Sequence, residues 1–182
     1  DSDRWIAAEN AEVEALENTH SSWDVVDRPA DKKVYRSKFV YKDKPACHPL
    51  PARAKARLVA AAWNDDAAVE DTYAPVCRLD TVRLLLAVTY ERAYKLACFD
   101  ICEAFLLAPL PAGQDVYMEC PPNNRQPGKV LKLKKSIYGL KTSPRNFNRH
   151  LHDFLTSDAV GFSACPSDPA LYKRSNHFGT VY

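Results

Sequence analysis

KLACFDICEAFLLAP, residues 95–109, and KLKKSIYGLKTSPR, residues 132–145, are the two most informative stretches of this chain. The first is an apolar segment that leads into one carboxylate, Asp100, with an aromatic residue, Phe105, five positions later. The second is a cationic segment that runs into a Tyr-Gly-Leu-Lys turn. A metal-binding acid beside a positively charged cradle is what phosphoryl chemistry on nucleotides requires.

The N-terminal half is predicted to contain a helix and a basic hairpin. Apolar residues recur with helical spacing over residues 3–18. Residues 33–42 alternate with period two, residues 55–63 read as a second strand, and the proline-rich segment 43–53 between them is predicted to be a loop. Because both strands are rich in Lys and Arg, the hairpin is expected to be basic.

The C-terminal half is predicted to mix helices and antiparallel strands. Asp80 is expected to cap a helix over 81–93, and KLACFDI is expected to be a buried strand. Further elements are a strand pair at 116–120 and 129–135, a helix over 144–159 opened by Pro144, and a closing hairpin of 170–174 with 178–182. Helices on one side of an antiparallel sheet make this an α+β layout.

Size and composition limit the class of protein. The 182 residues, 46% of them hydrophobic, suffice for one core or for two small subdomains that share one. No apolar stretch approaches the roughly 18 residues of a membrane span, and the acidic N-terminus does not resemble a secretory signal. The six cysteines form no C-x-x-C pair, which favours reduced thiols. The only methionine is internal, which suggests a piece of a longer polypeptide.

Charge is distributed unevenly along a chain whose net charge is only +2. Residues 1–27 carry eight acids and one arginine, whereas residues 32–57 carry nine Lys or Arg and one acid. Residues 120–152 carry eight Lys or Arg and no acid. Charge runs are most often solvated surface, but two basic blocks on a nearly neutral chain indicate a local site for a polyanion.

Single residues leave two interpretations open. Asp100 is either a magnesium ligand or an acid that ends a strand and caps a turn, and spacing alone favours the second. Phe105 and Tyr138, taken as isolated aromatic residues, are most often core. Gly139 permits close approach of the backbone to a ligand, and Lys141 and Arg145 are placed to hold phosphates. The chain contains no P-loop, G-x-S-x-G or G-x-G-x-x-G motif.

From Trp5 to Tyr182 the chain resembles the reverse transcriptase domain of Ty1/copia-type retrotransposons. The matching motifs, in order, are W-x-x-A-x-x-x-E at 5–12, K-A-R-L-V at 55–59, D-T-Y-A-P-V at 71–76, T-V-R-x-L-L at 81–86, F-D-I-x-x-A-F-L at 99–106, V-Y-M at 116–118, L-K-K-S-I-Y-G-L-K at 133–141, P-R at 144–145 and D-P-x-L-Y at 168–172. Nine motifs in the right order make coincidence very unlikely.

The resemblance implies a right-hand fingers–palm fragment, with the N-terminal helix and fingers over about 1–94 and the palm with a returning fingers segment over about 95–182. It implies that Asp100 binds catalytic Mg²⁺, that Ile101 offers its backbone carbonyl to the nucleotide, and that Phe105 screens the sugar 2′ position. Lys55 and Arg57 would contact the triphosphate. Tyr138, Gly139 and Lys141 would lie near the template and the nucleotide.

The implied reaction is two-metal addition of deoxynucleotides to a primer on an RNA or DNA template. The implied partners are template-primer, deoxynucleoside triphosphates and the rest of a polyprotein, including integrase and RNase H, with no membrane. The implied location is intracellular, in a cytoplasmic virus-like particle or the nucleus.

The chain also departs from the family pattern. The family's Tyr-x-Asp-Asp motif would begin at Tyr182, so its two acids are absent. One carboxylate cannot fix two Mg²⁺ ions, so the 182-residue chain is expected to be inactive by itself. Ala108 replaces a glycine, Thr142 and Ser143 alter the turn, and Phe147 replaces a tryptophan. The alternatives are a non-catalytic nucleic-acid-binding remnant or an inactive pseudogene product. Asp100→Asn would separate them, because it abolishes polymerisation in a complete enzyme but hardly weakens binding.

Overall fold

The structure is a computed structural model that describes residues 2–47, 51–62, 72–176 and 179–182. Its described part is a mixed α/β arrangement with small sheets and four α-helices. The helices are α1 Ser2–Glu14, α2 Leu79–Glu91, α3 Ala104–Leu107 and α4 Ser143–Thr156, with a π-helical turn at Ala15–Thr19. The strands are β1 Trp23–Asp27, β2 Val34–Tyr35, β3 Ser37–Lys44, β4 Arg53–Ala60, β5 Tyr117–Glu119, β6 Lys129–Leu133, β7 Ser163–Cys165, β8 Asp168–Asn176 and β9 Gly179–Val181.

The largest sheet among these strands has the order β1-β6-β5-β2. β6 pairs antiparallel with both β1 and β5, which confirms the predicted pairing of 116–120 with 129–135, whereas β2 joins β5 in parallel. One face of this sheet closes the main core. The most deeply buried large side chains of that core are Leu16, Leu58, Leu106, Met118, Leu131 and Ile137.

The predicted basic hairpin is present as β3 and β4, which pair antiparallel over their full lengths. The prediction of one continuous strand over 33–42 is wrong, because the chain bends at Arg36 and its two parts enter different sheets. The Arg36 carbonyl accepts the Ala61 N–H at 2.8 Å, which continues the β3–β4 register by one pair beyond Ser37 and Ala60. The Ser37 hydroxyl then donates to the Cys120 carbonyl at 2.8 Å and ties the hairpin to the end of β5. Residues 48–50 of the predicted loop, and residue 63 of the predicted second strand, lie outside the described residues.

The prediction that KLACFDI is a buried strand is also wrong. Residues 94–101 form no strand, and the Phe99 side chain is 84% exposed. The segment lines a cleft of 400 Å³ opposite α2 and the end of β9. A buried strand needs ladder partners at its edges and cover on its faces, and no described strand pairs with this segment.

The helix predicted at 81–93 begins earlier, at Leu79, and its start is not capped by Asp80. The Asp80 side chain is exposed and lies 3.5 Å from Arg83. The Asp168 carboxylate, from β8, instead accepts the Arg78 N–H at 3.1 Å and the Thr81 hydroxyl at 2.6 Å. A carboxylate 87 positions away in sequence therefore satisfies the first turn of α2.

The remaining C-terminal elements follow the prediction closely. α4 has Pro144 in its first turn, and β8 pairs antiparallel with β9 to form the closing hairpin. Residues 177–178, in the connection between these two strands, lie outside the described part. Within the described residues, every helix is too short or too polar to cross a membrane.

Candidate nucleotide-binding site

One face of the β3–β4 hairpin is uniformly cationic. Side chains alternate between the two faces of a strand, and the observed register places residues 38, 40, 42 and 44 beside residues 53, 55, 57 and 59. These eight positions are six Lys or Arg and two Val, with no acid among them. The cations are Lys38, Lys42, Lys44, Arg53, Lys55 and Arg57.

Like charges lie directly opposite one another on this face. Lys42 is paired with Lys55, and Lys44 is paired with Arg53. Such pairs destabilise a sheet. The pKa of Lys44 is lowered below its usual range, chiefly by repulsion from Lys55. Stability alone would not select this arrangement, and a bound polyanion would relieve the repulsion.

The opposite face of the hairpin packs on α1. Trp5 contacts the Tyr41 ring edge-on, with 5.3 Å between ring centroids, and the Tyr41 hydroxyl donates to Glu9 at 2.5 Å. Leu58, on the same face, is fully buried in the core. α1 therefore packs on the hairpin face opposite the cationic one.

The outer edge of β4 is covered by two groups from elsewhere in the chain. The Glu12 carboxylate, on α1, accepts the Leu58 N–H at 3.2 Å. Two residues on, the Ala60 N–H donates to the Tyr138 carbonyl at 2.9 Å. These contacts satisfy donors that an edge strand would otherwise leave unpaired. They also attach the Tyr-Gly-Leu-Lys turn to the hairpin.

Gly139 makes the close approach of that turn possible. Its φ is +93°, and a Cβ built there would lie 2.0 Å from the Ala60 carbonyl oxygen and 2.6 Å from Val59 Cγ1. Any side chain would therefore force the turn away from β4 as well as strain its backbone. The close approach proposed for Gly139 from the sequence is to the chain's own β4.

Aromatic rings connect the hairpin to α4 through the turn. The Arg57 guanidinium carbon lies 5.4 Å from the centroid of the Tyr138 ring, within the range of a cation–π contact. The Tyr138 ring meets Phe105 at 5.4 Å, and Phe105 meets Phe147 at 6.4 Å. Four residues that are distant in sequence thus form one continuous row.

Arg57 has an unused donor in this row. Its Nε is buried and has no hydrogen-bond partner among the described residues. A buried polar nitrogen without a partner is costly.

The altered residues of the turn are accommodated by buried hydrogen bonds. The Ser143 hydroxyl donates to the Ile137 carbonyl at 2.6 Å, and the Asn146 amide donates to the Ser136 hydroxyl at 3.0 Å. Ser136 and Ser143 are both fully buried. The start of α4 is thereby fixed beneath the turn.

The structure therefore brings together Lys55, Arg57, Phe105, Tyr138 and Gly139 among the residues singled out from the sequence. Lys141 follows on the same turn with an exposed side chain, and Ile101 is half-buried. Asp100 is exposed and lies outside any strand.

The described residues do not by themselves form a magnesium site. No group of three His, Cys, Asp or Glu side chains in this part of the chain is arranged to hold a metal ion. Asp100 is the only acid that the sequence proposed as a ligand, and a single carboxylate is too few for a two-metal centre.

Glu12 is a site residue whose role the sequence did not reveal. It is buried, and burial raises its pKa despite the Leu58 N–H bond and the nearby Lys55, which act in the opposite direction. The sequence signal for this role was the position of Glu12 in the W-x-x-A-x-x-x-E motif. A glutamate on the same side of the predicted helix as Trp5 and Ala8 needs a polar partner if that side is buried.

Comparison with known proteins identifies the family of the chain. The family model of the reverse transcriptase (RNA-dependent DNA polymerase) matches residues 20–181. The retrovirus-related Pol polyprotein from transposon RE1 of Arabidopsis thaliana is 31% identical over 99% of this chain, which covers 12% of that polyprotein. The Pol polyprotein from transposon TNT 1-94 of Nicotiana tabacum is 28% identical over 92% of the chain, which covers 13% of it.

A yeast relative extends the same pattern. The transposon Ty1-H Gag-Pol polyprotein of Saccharomyces cerevisiae is 30% identical over 84% of the chain, which covers 8% of that polyprotein. No solved structure matches the chain. The sequence comparisons define a reverse transcriptase domain. The chain belongs to the reverse transcriptase family, and its relatives are Pol polyproteins of Ty1/copia-type retrotransposons.

Proposed function

We propose that this chain binds the incoming deoxynucleoside triphosphate of an RNA-directed DNA polymerase. The observation that carries the proposal is the cationic face of β3–β4, which ends at Arg57 against the Tyr138 ring. The triphosphate would lie along this face with Lys55 and Arg57 as its main contacts. The sugar and base would lie towards Phe105 and Tyr138.

Charge and geometry support these roles. Arg57 presents a planar guanidinium whose buried Nε has no described partner, and a guanidinium binds phosphate oxygens in a forked geometry. Lys55 lies two residues before Arg57 on the same face. Phe105 is held edge-on to Tyr138, where its ring would meet a sugar that carries a 2′-hydroxyl.

Asp100 is the proposed ligand for the divalent metal that reverse transcriptases use. Such a metal neutralises the phosphates and activates the primer hydroxyl when it is bound. Within the described residues, no group of three His, Cys, Asp or Glu side chains is arranged to hold such a metal. That the 182-residue chain alone fails to extend a primer stays a prediction, and primer extension by the purified chain would refute it.

The proposed partners are template-primer and the rest of a Pol polyprotein, including integrase and RNase H. The proposed location is a cytoplasmic virus-like particle or the nucleus. Both proposals rest on the Ty1/copia relatives, of which the chain spans about an eighth or less.

The test is equilibrium binding of a fluorescent deoxynucleoside triphosphate to the purified chain. Arg57→Met keeps an unbranched apolar stem but removes the guanidinium and its charge. We expect it to weaken binding by about tenfold or more, the effect of losing one charged hydrogen bond of about 1.5 to 3 kcal/mol. Arg83→Met, on α2, is the matched control, because Arg83 is an exposed arginine away from the hairpin. Equal affinities for the two variants would reject the proposed site.

Non-catalytic binding of nucleic acid is the second candidate, and the length of the cationic face favours it. A strand of nucleic acid would span all six cations, whereas a triphosphate spans only a few. The dependence of binding affinity on salt concentration separates the two candidate functions. The logarithm of the single-strand affinity falls with a slope of about 0.7 for each phosphate neutralised. A slope that requires five or six phosphates, together with no saturable nucleotide binding, would favour this candidate.

A further inference from the structure

A part-buried contact joins a histidine to the glutamate that precedes α3. His20 Nε2 lies 2.7 Å from Glu103 Oε2, and these residues are 83 positions apart in sequence. The side chains of His20 and Glu103 are 10% and 31% exposed. A contact so well shielded from solvent fixes its two backbone segments relative to each other more firmly than a surface ion pair would.

Both partners lie on irregular backbone. The π-helical turn Ala15–Thr19 ends at His20, and the following residue, Ser21, has a φ of +48°. Glu103 itself has a φ of +53°, in the left-handed region that residues with a side chain rarely adopt. Outliers of this kind persist only where the surrounding contacts hold them, and π-helical turns often mark functional sites.

Glu103 sets the direction of the short helix that carries Phe105. Its carbonyl accepts the Leu106 N–H at 2.8 Å, and α3 begins at the next residue, Ala104. Leu106 is anchored in the core, while Phe105 projects towards the Tyr138 ring. A rotation of the Glu103 backbone would therefore move the Phe105 ring.

The contact also adjoins the base of the cationic hairpin. Glu103 is close enough to Glu12 to contribute to the raised pKa of that carboxyl, after the larger effect of burial. Lys55 and Arg57 act on the same carboxyl in the opposite direction. The contact between His20 and Glu103 thus lies within electrostatic range of the Glu12 carboxyl that covers the edge of β4.

We propose that His20 and Glu103 are positioning residues that hold Phe105 against Tyr138 and so set how strongly the site discriminates against a nucleotide with a 2′-hydroxyl. This inference rests on the proposed function. His20 holds the Glu103 carboxylate in place, and the carboxylate stabilises the left-handed backbone at Glu103. That backbone conformation sets the position of Phe105. Neither residue touches the nucleotide.

The first test observes Phe105 directly and needs no nucleotide. The chain is labelled with fluorophenylalanine, and the Phe105 resonance is assigned with Phe105→Leu. We expect Glu103→Ala and His20→Ala to shift this resonance to a common position, and the double variant to shift it no further. The Phe39 resonance, from a ring on the hairpin face that packs on α1, reports whether the fold is retained. An unmoved Phe105 resonance in both single variants would overturn the proposal.

Glu103→Gly covers the case in which the alanine variants do not fold. Glycine adopts the left-handed turn without strain but lacks the carboxylate. We expect it to fold and to broaden or shift the Phe105 resonance, because the turn is no longer tied to His20. A Phe105 resonance identical to that of the original chain would show that the contact does not position the ring.

The second test measures specificity. We expect Glu103→Ala to reduce the preference for a deoxynucleoside over a ribonucleoside triphosphate by about threefold or more, while the deoxynucleotide affinity changes less than about twofold. Equal weakening of both nucleotides would mean a purely structural role and would overturn the inference. If the original chain binds neither nucleotide, the proposed function fails, and the fluorine experiment alone decides the positioning role.

Discussion

The backbone of Gly139 lies so close to Ala60 that no side chain fits between them. A Cβ on Gly139 would approach the Ala60 carbonyl oxygen to 2.0 Å, and the neighbouring Tyr138 carbonyl accepts the Ala60 N–H at 2.9 Å. This contact joins the Tyr-Gly-Leu-Lys turn to the cationic hairpin. The proposed nucleotide site exists because these two segments are held together.

Gly139→Ala is expected to lower the free energy of unfolding by about 3 kcal/mol, the sum of left-handed strain and overpacking. Gly128→Ala is the matched control, since Gly128 has a φ of +74° but nothing within 4 Å of a built Cβ. Gly128→Ala should lower the free energy of unfolding by only about 1 to 2 kcal/mol, the strain of a left-handed alanine. Urea denaturation of both variants measures the difference, and equal losses would show that the close approach is unimportant.

Glu12→Ala should destabilise the chain by about 1 to 3 kcal/mol, because the Leu58 N–H loses its acceptor. Glu12→Gln keeps an acceptor oxygen for the Leu58 N–H and should destabilise the chain less than Glu12→Ala. The native pKa of Glu12 is raised, chiefly by burial. The native state therefore retains this proton to higher pH than the unfolded chain does.

Ionisation of Glu12 thus opposes folding. The stability that the protonated Glu12 carboxyl contributes is complete below about 4.3, the ordinary pKa of glutamate, and is lost as pH rises through the raised native pKa. The stability of Glu12→Gln relative to the original chain should increase across that interval. Urea midpoints at a series of pH values measure this, and a constant difference would contradict the assignment.

Asp168 is expected to give the opposite pH dependence. The hydrogen bond from Thr81, followed by that from the Arg78 N–H, lowers the pKa of this carboxyl to about 2. The stability that it contributes is complete above the ordinary value of about 3.9 and is lost as pH falls through the native value. Asp168→Asn should therefore lose stability at neutral pH and converge on the original chain as pH approaches 2. Thermal or urea unfolding between pH 5 and 2 tests this, and parallel curves would refute it.

Lys55→Gln should change stability and binding in opposite directions. Removing one of two lysines that face each other across the hairpin relieves repulsion and raises the urea midpoint, while the loss of a proposed phosphate contact weakens nucleotide binding. Lys134→Gln is the control, because Lys134 is paired with Asp24 at 2.7 Å away from the hairpin. It should lower the midpoint slightly and leave nucleotide binding unchanged. Weaker binding in both variants would indicate a nonspecific effect of charge.

The elements whose signal is local were predictable from the sequence. Period-two alternation identified the hairpin strands and therefore the face shared by Lys55 and Arg57. Pro144 marked the start of α4 and Gly139 marked a turn, but the close approach expected to a ligand is made to β4. The order of nine motifs identified the family, which the comparisons confirm.

Features that depend on distant partners were not predictable. Asp80 satisfied the local rule for a helix cap, but Asp168 satisfies the first turn of α2 from another part of the fold. KLACFDI has the composition of a buried strand, but burial requires neighbours that no local pattern specifies. The contact between His20 and Glu103 spans 83 positions, and neither residue belongs to a recognisable pair in the sequence.

Affinity labelling of the hairpin tests most directly the central claim that the cationic face holds the nucleotide phosphates. The chain is treated with a deoxynucleoside triphosphate that carries a lysine-reactive group on its terminal phosphate, and the modified peptides are mapped by mass spectrometry. The account predicts labelling at Lys55 that unmodified deoxynucleoside triphosphate prevents and that Arg57→Met reduces. Labelling spread over exposed lysines such as Lys129 and Lys134, without protection by the nucleotide, would contradict it.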